Sequence, residues 1–220
     1  LRNPLVGIGS TAALLLEDCP PNDPRRADLD VILKETRRLD RIVNQIVEYA
    51  RPRELTPVEF ALSDLLDEVV KVLDAPLHAK NLQVRAAFST PGSELYADRD
   101  QLKQVLLNVL HNAIDATPTH GEAIEVTAFE LARGERPGIM TKVVDKGTGI
   151  APEALARVFE PFFTRGKRHG TGLGLAICRN IIESHGGDIH MTSQPGIGTT
   201  VRIWLPLSRH QPLKGEPCAP

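Results

Sequence analysis

The 220-residue sequence is poor in cysteine, has no long apolar run and carries little net charge. Its three cysteines, Cys19, Cys178 and Cys218, are widely spaced, with no CxxC pair and no histidine at metal-ligand spacing beside them. This pattern disfavours a disulfide framework or a cysteine-rich metal site and predicts a reducing, cytoplasmic setting. With no run of about 18 apolar residues and no signal peptide, we expect no membrane contact in this segment; a membrane anchor of a full-length parent protein would lie outside it.

The charge balance limits the classes of partner. Lysine and arginine total 26 and aspartate and glutamate 28, a formal charge of -2 that supplies no broad field for DNA, RNA or anionic lipid. We therefore expect no direct nucleic-acid partner. With 41% hydrophobic and 25% charged residues, the composition is that of a globular protein of one or two domains. Because the chain begins at Leu1, without methionine and inside a helical pattern, we expect it to be a piece of a longer protein.

The first 52 residues show the apolar spacing of two helices. A first periodic stretch ends at the proline-rich cluster Cys19–Pro24, and a second ends at Ala50. Two helices cannot bury two apolar seams by themselves. We therefore predict a helical hairpin at 1–52 that forms half of a four-helix bundle in a homodimer; the alternative is that the hairpin packs on the rest of its own chain. The apolar positions are Leu1, Leu5, Ile8, Ala12 and Leu15, then Ile32, Leu39, Ile42 or Val43, Ile46 and Ala50.

A linker is predicted at residues 53–60, because Arg51–Pro57 contains two prolines and few candidate core residues. Residues 61–207 read as a mixed α/β domain, and the proline-rich segment 208–220 as a tail without assigned function. The fold class is accordingly α+β, a helical hairpin followed by an α/β two-layer sandwich. The predicted helices are Ser63–Leu77, Asp98–Ala116 and Leu173–Ser184; the predicted strands are Leu82–Phe88, a short one near Leu95, Glu125–Leu131, Gly138–Val144, Asp188–Thr192 and Thr199–Leu205.

The longest helix of the predicted domain carries a polar stripe. Asn108, His111, Asn112 and Asp115 recur at i, i+3, i+4 and i+7 and therefore share one face. An amide oxygen is a neutral, hard ligand, suited to Mg²⁺ that also keeps phosphate oxygens and waters in its octahedron. A solvated helix face has the same pattern, so the stripe alone does not decide between the two interpretations.

A second candidate segment, Asp145-Lys-Gly-Thr-Gly149, ends a predicted strand. The Asp145 carboxylate could accept the amino hydrogen of an adenine, and Gly147 and Gly149 leave room for a planar group near the backbone. Aspartate and glycine also end strands in ordinary turns, so this segment is a weak signal by itself.

The strongest single signal is Gly170-Thr-Gly-Leu-Gly-Leu175, which opens a predicted helix and which we call the lid segment. Glycines let successive backbone N–H groups and the helix N-terminus meet phosphates. The apolar helical pattern that follows at once argues against a flexible connector. Neither GxGxxG nor GxxxxGK[ST] is matched, which disfavours Rossmann-type and Walker-type sites.

Five segments resemble, in order and spacing, the N, G1, F, G2 and G3 boxes of sensor histidine kinases. Leu1-Arg-Asn-Pro-Leu5 also resembles the residues just after the phospho-acceptor in the pattern His-Glu-Leu-Arg-Asn-Pro-Leu of NtrB-like kinases. The resemblance covers nearly the whole chain to about residue 207 and implies a kinase core with a Bergerat-type (GHKL) ATP-binding domain. The five segments are Asn108-Val-Leu-His-Asn-Ala113, Asp145-Lys-Gly-Thr-Gly149, Phe159-Glu-Pro-Phe-Phe163, Gly170-Thr-Gly-Leu-Gly174 and Gly196-Ile-Gly-Thr199.

The resemblance implies a role for each matching residue. Asn108 and Asn112 would hold Mg²⁺ and the phosphates of ATP, and Asn108 would also be a catalytic residue. Asp145 would bind adenine in a pocket shaped by Gly147 and Gly149. Phe159, Phe162 and Phe163 would anchor the lid, although core packing alone would also account for phenylalanines. The further implied nucleotide contacts are Lys167, Gly170, Thr171, Gly172, Leu173, Gly174 and Thr199.

Two departures from the family pattern limit the transfer. Asp115 stands where many relatives have a basic residue, so the γ-phosphate contact would fall to Arg165 or Lys167. The pattern places the acceptor histidine two residues before Leu1 and its acidic neighbour just before Leu1, outside this sequence. Asn3 would lie one turn after that histidine, where it could orient water for attack on a phosphorylated partner, or simply be a helix-surface amide.

The predicted function is that of a cytoplasmic histidine kinase core, which transfers the γ-phosphoryl group of ATP to a histidine and then to an aspartate of a response-regulator receiver domain. Two alternatives remain open. An ATPase switch of the gyrase, MutL and chaperone group would place a glutamate base where this chain has Asn108. A non-catalytic dimeric scaffold would keep the fold without binding nucleotide, which the intact Asn112, Asp145 and lid glycines disfavour.

Asn112→Ala is expected to abolish Mg²⁺-dependent ATP binding, because its amide oxygen would no longer be available as a ligand. Calorimetric titration with ATP in the presence and absence of Mg²⁺ measures the effect. An unchanged nucleotide affinity would refute the metal assignment.

Overall fold

The computed structural model of the chain describes residues 2–50, 54–89, 94–164 and 171–207. Its internal contacts divide the chain into two compact units, Leu1–Arg53 and Glu54–Pro220. Among the helices within those described ranges, none has the length and apolar character needed to cross a lipid bilayer.

The first unit is a helical hairpin of α1 (Arg2–Asp18) and α2 (Arg25–Ala50). The Asp23 carboxylate accepts a hydrogen bond of 2.9 Å from the Arg25 backbone N–H at the start of α2. At the same turn the Arg26 guanidinium donates to the carbonyl oxygens of Leu16 and Cys19, at 3.0 and 2.6 Å, and so satisfies acceptors that the end of α1 leaves unpaired. The proline-rich break predicted between the two helices is thus closed by charged side chains.

The hairpin leaves much apolar surface uncovered within its own unit. Gly9 allows close approach of the helices, since a Cβ there would lie 3.3 Å from Thr36 Cγ2. Ala12 is buried beside this contact region, but larger apolar side chains of both helices remain exposed, as expected of half a bundle. They are Val6, Ile8, Leu14, Leu15, Val31, Ile32, Leu39, Ile46 and Val47.

The second unit has a five-stranded mixed sheet in the order β2-β4-β5-β7-β6 and a two-stranded antiparallel sheet of β1 and β3. In the larger sheet β2 and β4 are parallel and the other neighbours are antiparallel. This arrangement confirms the predicted α+β class. The strands are β1 (Val58–Ala61), β2 (Val84–Phe88), β3 (Glu94–Ala97), β4 (Ile124–Glu130), β5 (Gly138–Asp145), β6 (Asp188–Gln194) and β7 (Gly198–Pro206); the helices are α3 (Leu62–Val72), α4 (Asp74–Lys80), α5 (Arg99–Ala116), α6 (Pro152–Leu155) and α7 (Gly174–Ser184).

Helices α5 and α7 pack on each other and on the sheet, and their shared core consists of aliphatic side chains. The polar stripe of α5 and the first turn of α7 lie at the margin of this core. The most completely buried large side chains include Leu65, Leu66, Leu95, Leu110, Ile124, Ile139, Leu173 and Ile182.

Three elements differ from the sequence-based expectation. Strand β1 includes the last three residues of the segment predicted as linker, because it pairs with β3, a strand distant in sequence, with Val58 opposite Ala97. The single helix predicted at Ser63–Leu77 is two helices, since Pro76 cannot donate to the carbonyl of Val72 and its ring would clash with that carbonyl. The short helix α6 was not predicted.

Lys80, the last residue of α4, closes the C-terminal end of α5. Its ammonium group donates to the carbonyl oxygens of Ile114, Asp115 and Thr117 at 2.7, 3.0 and 2.8 Å. A cation at a helix C-terminus also interacts favourably with the helix dipole. The end of α5, which borders the loop after β5, is therefore held in place by one side chain.

We expect Lys80→Met to lower the free energy of unfolding of the second unit by about 2 kcal/mol, because carbonyls that were bonded to a charged donor lose it. Urea unfolding followed by the fluorescence of Trp204, the single tryptophan and part of β7, reports on this unit. The control is Lys71→Met, which removes an exposed lysine of α3 and should leave stability within about 0.5 kcal/mol of wild type. Equal effects of the two substitutions would contradict the capping role.

Candidate functional site

The asparagines of α5 lie on the helix face that borders the start of α7. Asn108 and Asn112 are both half-buried. The Asn108 amide donates to the carbonyl of Gly174, the first residue of α7, at 3.4 Å. Its Oδ1 is 3.5 Å from where a Cβ at Gly174 would stand, which is ordinary van der Waals contact, and the side chain also forms a hydrogen bond with the Cys178 thiol. The other members of the stripe are exposed, with His111 Nδ1 3.4 Å from the Asp115 carboxylate.

The described residues contain no group of three His, Cys, Asp or Glu side chains placed to hold a metal ion. A divalent cation at the stripe would therefore depend on amide oxygens, phosphate oxygens and water. That donor set is the one Mg²⁺ accepts in nucleotide sites, where it retains several waters. The two asparagines fit this role in type and in their position on one face.

Asp145 ends β5 with its side chain only 7% exposed. Its carboxylate accepts a hydrogen bond of 2.9 Å from the Gly147 N–H and another from the Thr199 N–H. Burial raises the pKa of Asp145 above its ordinary value, although the two N–H groups oppose the rise. A buried carboxylate held in one orientation by backbone donors can accept a hydrogen bond from a ligand that replaces its lost hydration.

The loop after β5 is joined by backbone hydrogen bonds to elements on both sides. The Thr148 N–H donates to the Ala116 carbonyl at the end of α5, and the Thr148 carbonyl accepts from the Gly196 N–H in the turn between β6 and β7, at 3.1 and 2.8 Å. A Cβ at Gly147 would stand 2.6 Å from the Ala116 carbonyl oxygen, so only glycine fits. Gly149 has a φ of +66° and lies against the Gln194 backbone. The loop is thus a thin, fixed wall beside Asp145.

Thr199 lies opposite Asp145 in the ladder between β5 and β7 and is also buried. Its hydroxyl is 2.9 Å from Ser193 Oγ, which donates to the Gly198 carbonyl at 2.8 Å and accepts from the Ile150 N–H at 2.8 Å. Because the Ser193 hydrogen is used for Gly198, Thr199 must donate to Ser193 and retains its own lone pairs. Ser193 is not predicted as a site residue from the sequence, because no local pattern marks it.

The described part of the lid segment, Thr171–Leu175, leads directly into α7. Gly172 has a φ of +70°, and its Cα packs so closely on the Phe162–Phe163 backbone that a Cβ would lie 2.7 Å from the Phe163 nitrogen. Only glycine meets both conditions without strain. Leu173 is wholly buried, and the Thr171 hydroxyl is 3.4 Å from the Leu173 N–H. Lys167 and Gly170, predicted nucleotide contacts, and Arg165 lie outside the described residues.

The predicted phenylalanine anchor has one exposed and two stacked members. Phe162 is 62% exposed and has a φ of +64°, rare for a bulky residue. The guanidinium groups of Arg179 and Arg157 lie over the rings of Phe159 and Phe163, 4.2 and 4.6 Å from the ring centroids. Cation–π contacts therefore hold two of the rings, and core packing alone does not describe this segment.

The structure forms two groups of predicted site residues: Asn108 lies against Gly174 at the start of α7, and Asp145 contacts Gly147 and Thr199. Gly147 packs on the Ala116 carbonyl at the end of α5, the helix that carries Asn108. Asn3 belongs to α1 in the other unit, and its side chain lies outside the described part of the chain. Three supporting residues are likewise not predicted from the sequence: Asp98, Lys80 and His185. Only Asp98 has a sequence signal for its supporting role, because aspartate is a preferred N-cap residue and Asp98 stands at the start of the helix pattern.

Two family models match the chain. The model described as histidine kinase-, DNA gyrase B- and HSP90-like ATPase matches residues 97–209, and the model described as His Kinase A (phospho-acceptor) domain matches residues 1–55. The first range contains every residue of the candidate site named above for α5, β5, the lid segment and β7.

Curated relatives share both ranges. The sensor histidine kinase ZraS of Escherichia coli strain K12 is 38% identical over 208 residues, which are 94% of this chain and 43% of the relative. Sporulation kinase C of Bacillus subtilis strain 168 is 30% identical over 208 residues, 94% of this chain and 46% of the relative. The chain thus spans less than half the length of these relatives.

Two solved structures are similar to this chain over nearly its whole length. Full-length ShkA in complex with AMPPNP is similar with a TM-score of 0.79 and 28% identity, covering 94% of this chain and 44% of that one. The histidine kinase ThkA in complex with the response regulator protein TrrA is similar with a TM-score of 0.70 and 30% identity, covering 94% of this chain and 58% of that one.

Asp145→Asn is expected to change stability and nucleotide affinity in opposite directions. Because burial raises the folded-state pKa of Asp145, its stabilising contribution is greatest below the ordinary aspartate pKa of about 4 and is lost as the pH rises through the folded-state pKa. The neutral asparagine should therefore make the fold more stable than wild type at pH 7, with the difference vanishing near pH 3. Its affinity for MgATP should fall about tenfold or more.

Thermal unfolding from pH 3 to 7 and calorimetric titration measure the two effects. Asp188→Asn is a control of opposite sign: although burial opposes the shift, the ion pair with Arg133 and the neighbouring His190 lower the pKa of Asp188. Its contribution is present above pH 4 and is lost on acidification, so this variant should be less stable than wild type at pH 7. A loss of stability at pH 7 in Asp145→Asn would contradict the assignment.

Proposed function

The chain belongs to the family of histidine kinase-, DNA gyrase B- and HSP90-like ATPases, and from this premise we propose that it is the catalytic core of a sensor histidine kinase. Such a core binds MgATP, transfers the γ-phosphoryl group to a histidine, and passes it on to an aspartate of a response regulator. The proposal rests on two features that occur in one chain: a hairpin that matches the phospho-acceptor domain, and a unit in which Asp145 is a buried carboxylate. The first feature separates the kinase function from a simple ATPase switch.

Base recognition is assigned to the end of β5. A buried carboxylate fixed by the N–H groups of Gly147 and Thr199 has a free direction in which to accept the exocyclic amino group of adenine. The thin wall of Gly147 and Gly149 admits a flat ring beside the backbone. Thr199 keeps hydroxyl lone pairs for a water or a ring substituent. These features fit a flat base with an exocyclic amino group, and the family resemblance selects adenine.

Phosphates and Mg²⁺ are assigned to α5 and the lid segment. Asn108 and Asn112 would supply amide oxygens to the ion, which would screen the phosphate charge. The backbone N–H groups of Thr171, Gly172 and Gly174, with Lys167 and Gly170 by resemblance, would meet the phosphate oxygens. Complexed AMPPNP in the ShkA structure supports ATP as the nucleotide class.

The phosphoryl transfer itself needs a nucleophile that the resemblance places just before Leu1. In that reaction a nitrogen of a neutral imidazole forms a bond to the γ-phosphorus while the bond to the bridging oxygen breaks and ADP leaves. The role of this chain is to hold the nucleotide in position and to balance its charge. Asn3 remains a proposed water-orienting residue for the reverse, phosphatase type of reaction.

The partners follow from the hairpin. Its exposed apolar side chains and its match to the phospho-acceptor domain support a homodimer through α1 and α2. The complex of ThkA with TrrA supports a response-regulator receiver domain as the phosphoryl recipient. We place this core in the cytoplasm, where ATP and such regulators are available.

The test uses the natural protein with the residues that precede Leu1. Incubation with γ-labelled ATP should produce a phosphoprotein that is stable in base and labile in acid, as an N–P bond is, and Asn112→Ala should reduce its formation by at least about a hundredfold. Rapid release of inorganic phosphate without any phosphohistidine would identify an ATPase switch instead. Absence of MgATP binding at millimolar concentration would identify a non-catalytic scaffold.

A further inference from the structure

Helices α5 and α7 run antiparallel and are joined by polar contacts at three levels along their length. Near the lid the contact is a long hydrogen bond, in the middle it is a weak one from a thiol, and at the far end it is a hydrogen bond of ordinary length. The three pairs are the Asn108 amide to the Gly174 carbonyl at 3.4 Å, Cys178 Sγ to the Val105 carbonyl at 3.9 Å, and the Asp98 N–H to His185 Nε2 at 3.0 Å.

The contact at the far end identifies which ring nitrogen of His185 carries a hydrogen. The Asp98 backbone N–H can only donate, so His185 Nε2 accepts and carries no hydrogen. The hydrogen is then on Nδ1, which donates to the Ile181 carbonyl at 2.8 Å in the last turn of α7. The neutral imidazole is therefore a two-sided bridge, with α7 on one nitrogen and the start of α5 on the other. We call this bridge the Asp98–His185 clasp.

Asp98 itself is held from several directions. It is 6% exposed, and its carboxylate caps α5 by accepting from the Gln101 N–H at 3.0 Å. The same carboxylate accepts from the N–H and the hydroxyl of Thr56, at 3.1 and 3.0 Å. Asp98, whose N–H donates to His185, is thus held in position by hydrogen bonds to α5 and to the segment before β1.

The clasp and the lid segment lie at opposite ends of a well-packed helix. Helix α7 has 11 residues and is therefore about 16 Å long. Ala176, Ile177, Cys178 and Ile182 are buried along it, and Leu173 is buried at its start. A close-packed helix shifts as a unit rather than bending, so a contact at one end restricts the position of the other.

We propose that His185 is a positioning residue for the nucleotide lid. Through the Asp98–His185 clasp it sets the register of α7 on α5, and so the distance of Gly172 and Gly174 from Asn108. The contacts of Asn108 with α7 cannot set that register alone, because its hydrogen bond to Gly174 is long, at 3.4 Å, and its other partner is the thiol of Cys178, a weak hydrogen-bonding group. The link to nucleotide binding rests on the function proposed above; the link between His185 and the lid does not.

Substitutions can test the hydrogen bonds of the two His185 ring nitrogens one at a time. Gln places an amide oxygen near the position of Nε2 and can still accept from Asp98. Asn places its amide near Nδ1 and can still donate to Ile181, but it does not reach Asp98. Phe keeps the ring and removes both contacts. Ser184→Ala is a matched control, since the Ser184 hydroxyl also donates to the Ile181 carbonyl, at 2.8 Å, without bridging to α5.

The first measurement is amide hydrogen exchange of the 220-residue chain without nucleotide, followed over Thr171–Leu175. His185→Asn and His185→Phe should speed exchange in this segment about tenfold, because an orphaned Asp98 N–H and a freed α7 make opening easier. His185→Gln and Ser184→Ala should stay within about twofold of wild type. If Asn and Gln behave alike, or if only the C-terminal half of α7 changes, the positioning role is refuted and His185 is simply a helix cap.

The second measurement is the affinity for MgAMP-PNP and for adenosine. His185→Asn should bind MgAMP-PNP about tenfold more weakly than His185→Gln, with adenosine affinity equal in both, because only the phosphates depend on the lid. Equal loss for both ligands would overturn the proposed link to the lid. If the wild-type chain binds no nucleotide, the proposed function fails, while the exchange comparison still decides whether the clasp positions the lid segment. If His185→Phe does not fold, the comparison of His185→Asn with His185→Gln still decides whether the clasp positions the lid segment.

Discussion

Helix α5 is bonded at both of its ends to side chains from other elements, and the candidate site is arranged around it. At its start Asp98 caps the first turn and is itself held by Thr56. At its end the Lys80 ammonium donates hydrogen bonds to carbonyl oxygens of the C-terminal turn. Because both ends are fixed, the asparagines in between have a defined position relative to the loop after β5, whose Thr148 N–H bonds to the Ala116 carbonyl. Loosening either end would displace the proposed metal ligands and the loop after β5 together.

At Asp145 the stability of the fold and the proposed recognition of a base are in conflict. Burial disfavours the ionised carboxylate, and the N–H groups of Gly147 and Thr199 offset only part of that effect, since the pKa remains raised. A structural role alone does not call for such a residue, because asparagine would fit the same space at less cost. The unfavourable burial is understandable if a ligand completes the hydrogen bonding of the carboxylate. A second unfavourable feature lies beside the lid segment, where Phe162 has a φ of +64°, rare for a bulky residue, and its backbone packs against Gly172.

The sequence predicted long elements well and long-range pairings poorly. Helix α5 and strands β4 and β5 were placed within one or two residues, because their apolar periodicity is strong over many positions. Strand β1 was missed because its four residues form a strand only by pairing with β3. The break between α3 and α4 was missed because the apolar pattern continues across it, while Pro76 ends the hydrogen-bonding pattern. Ser193 and His185 were missed for a related reason: serine and histidine have no periodic signal.

By itself, the sequence determined which chemical groups this protein offers and on which kinds of element they lie: two asparagines on one helix face, a carboxylate at a strand end, and a glycine run at a helix start. These follow from residue type and spacing, which are local properties. Only the tertiary structure decided how those groups are held, as in the hydrogen bonds that the Thr199 N–H donates to Asp145 and the Asp98 N–H donates to His185. Such contacts join residues 54 and 87 positions apart, and no local rule of spacing links positions so distant. Their geometry arises only when the sheet and the two helices pack into one core.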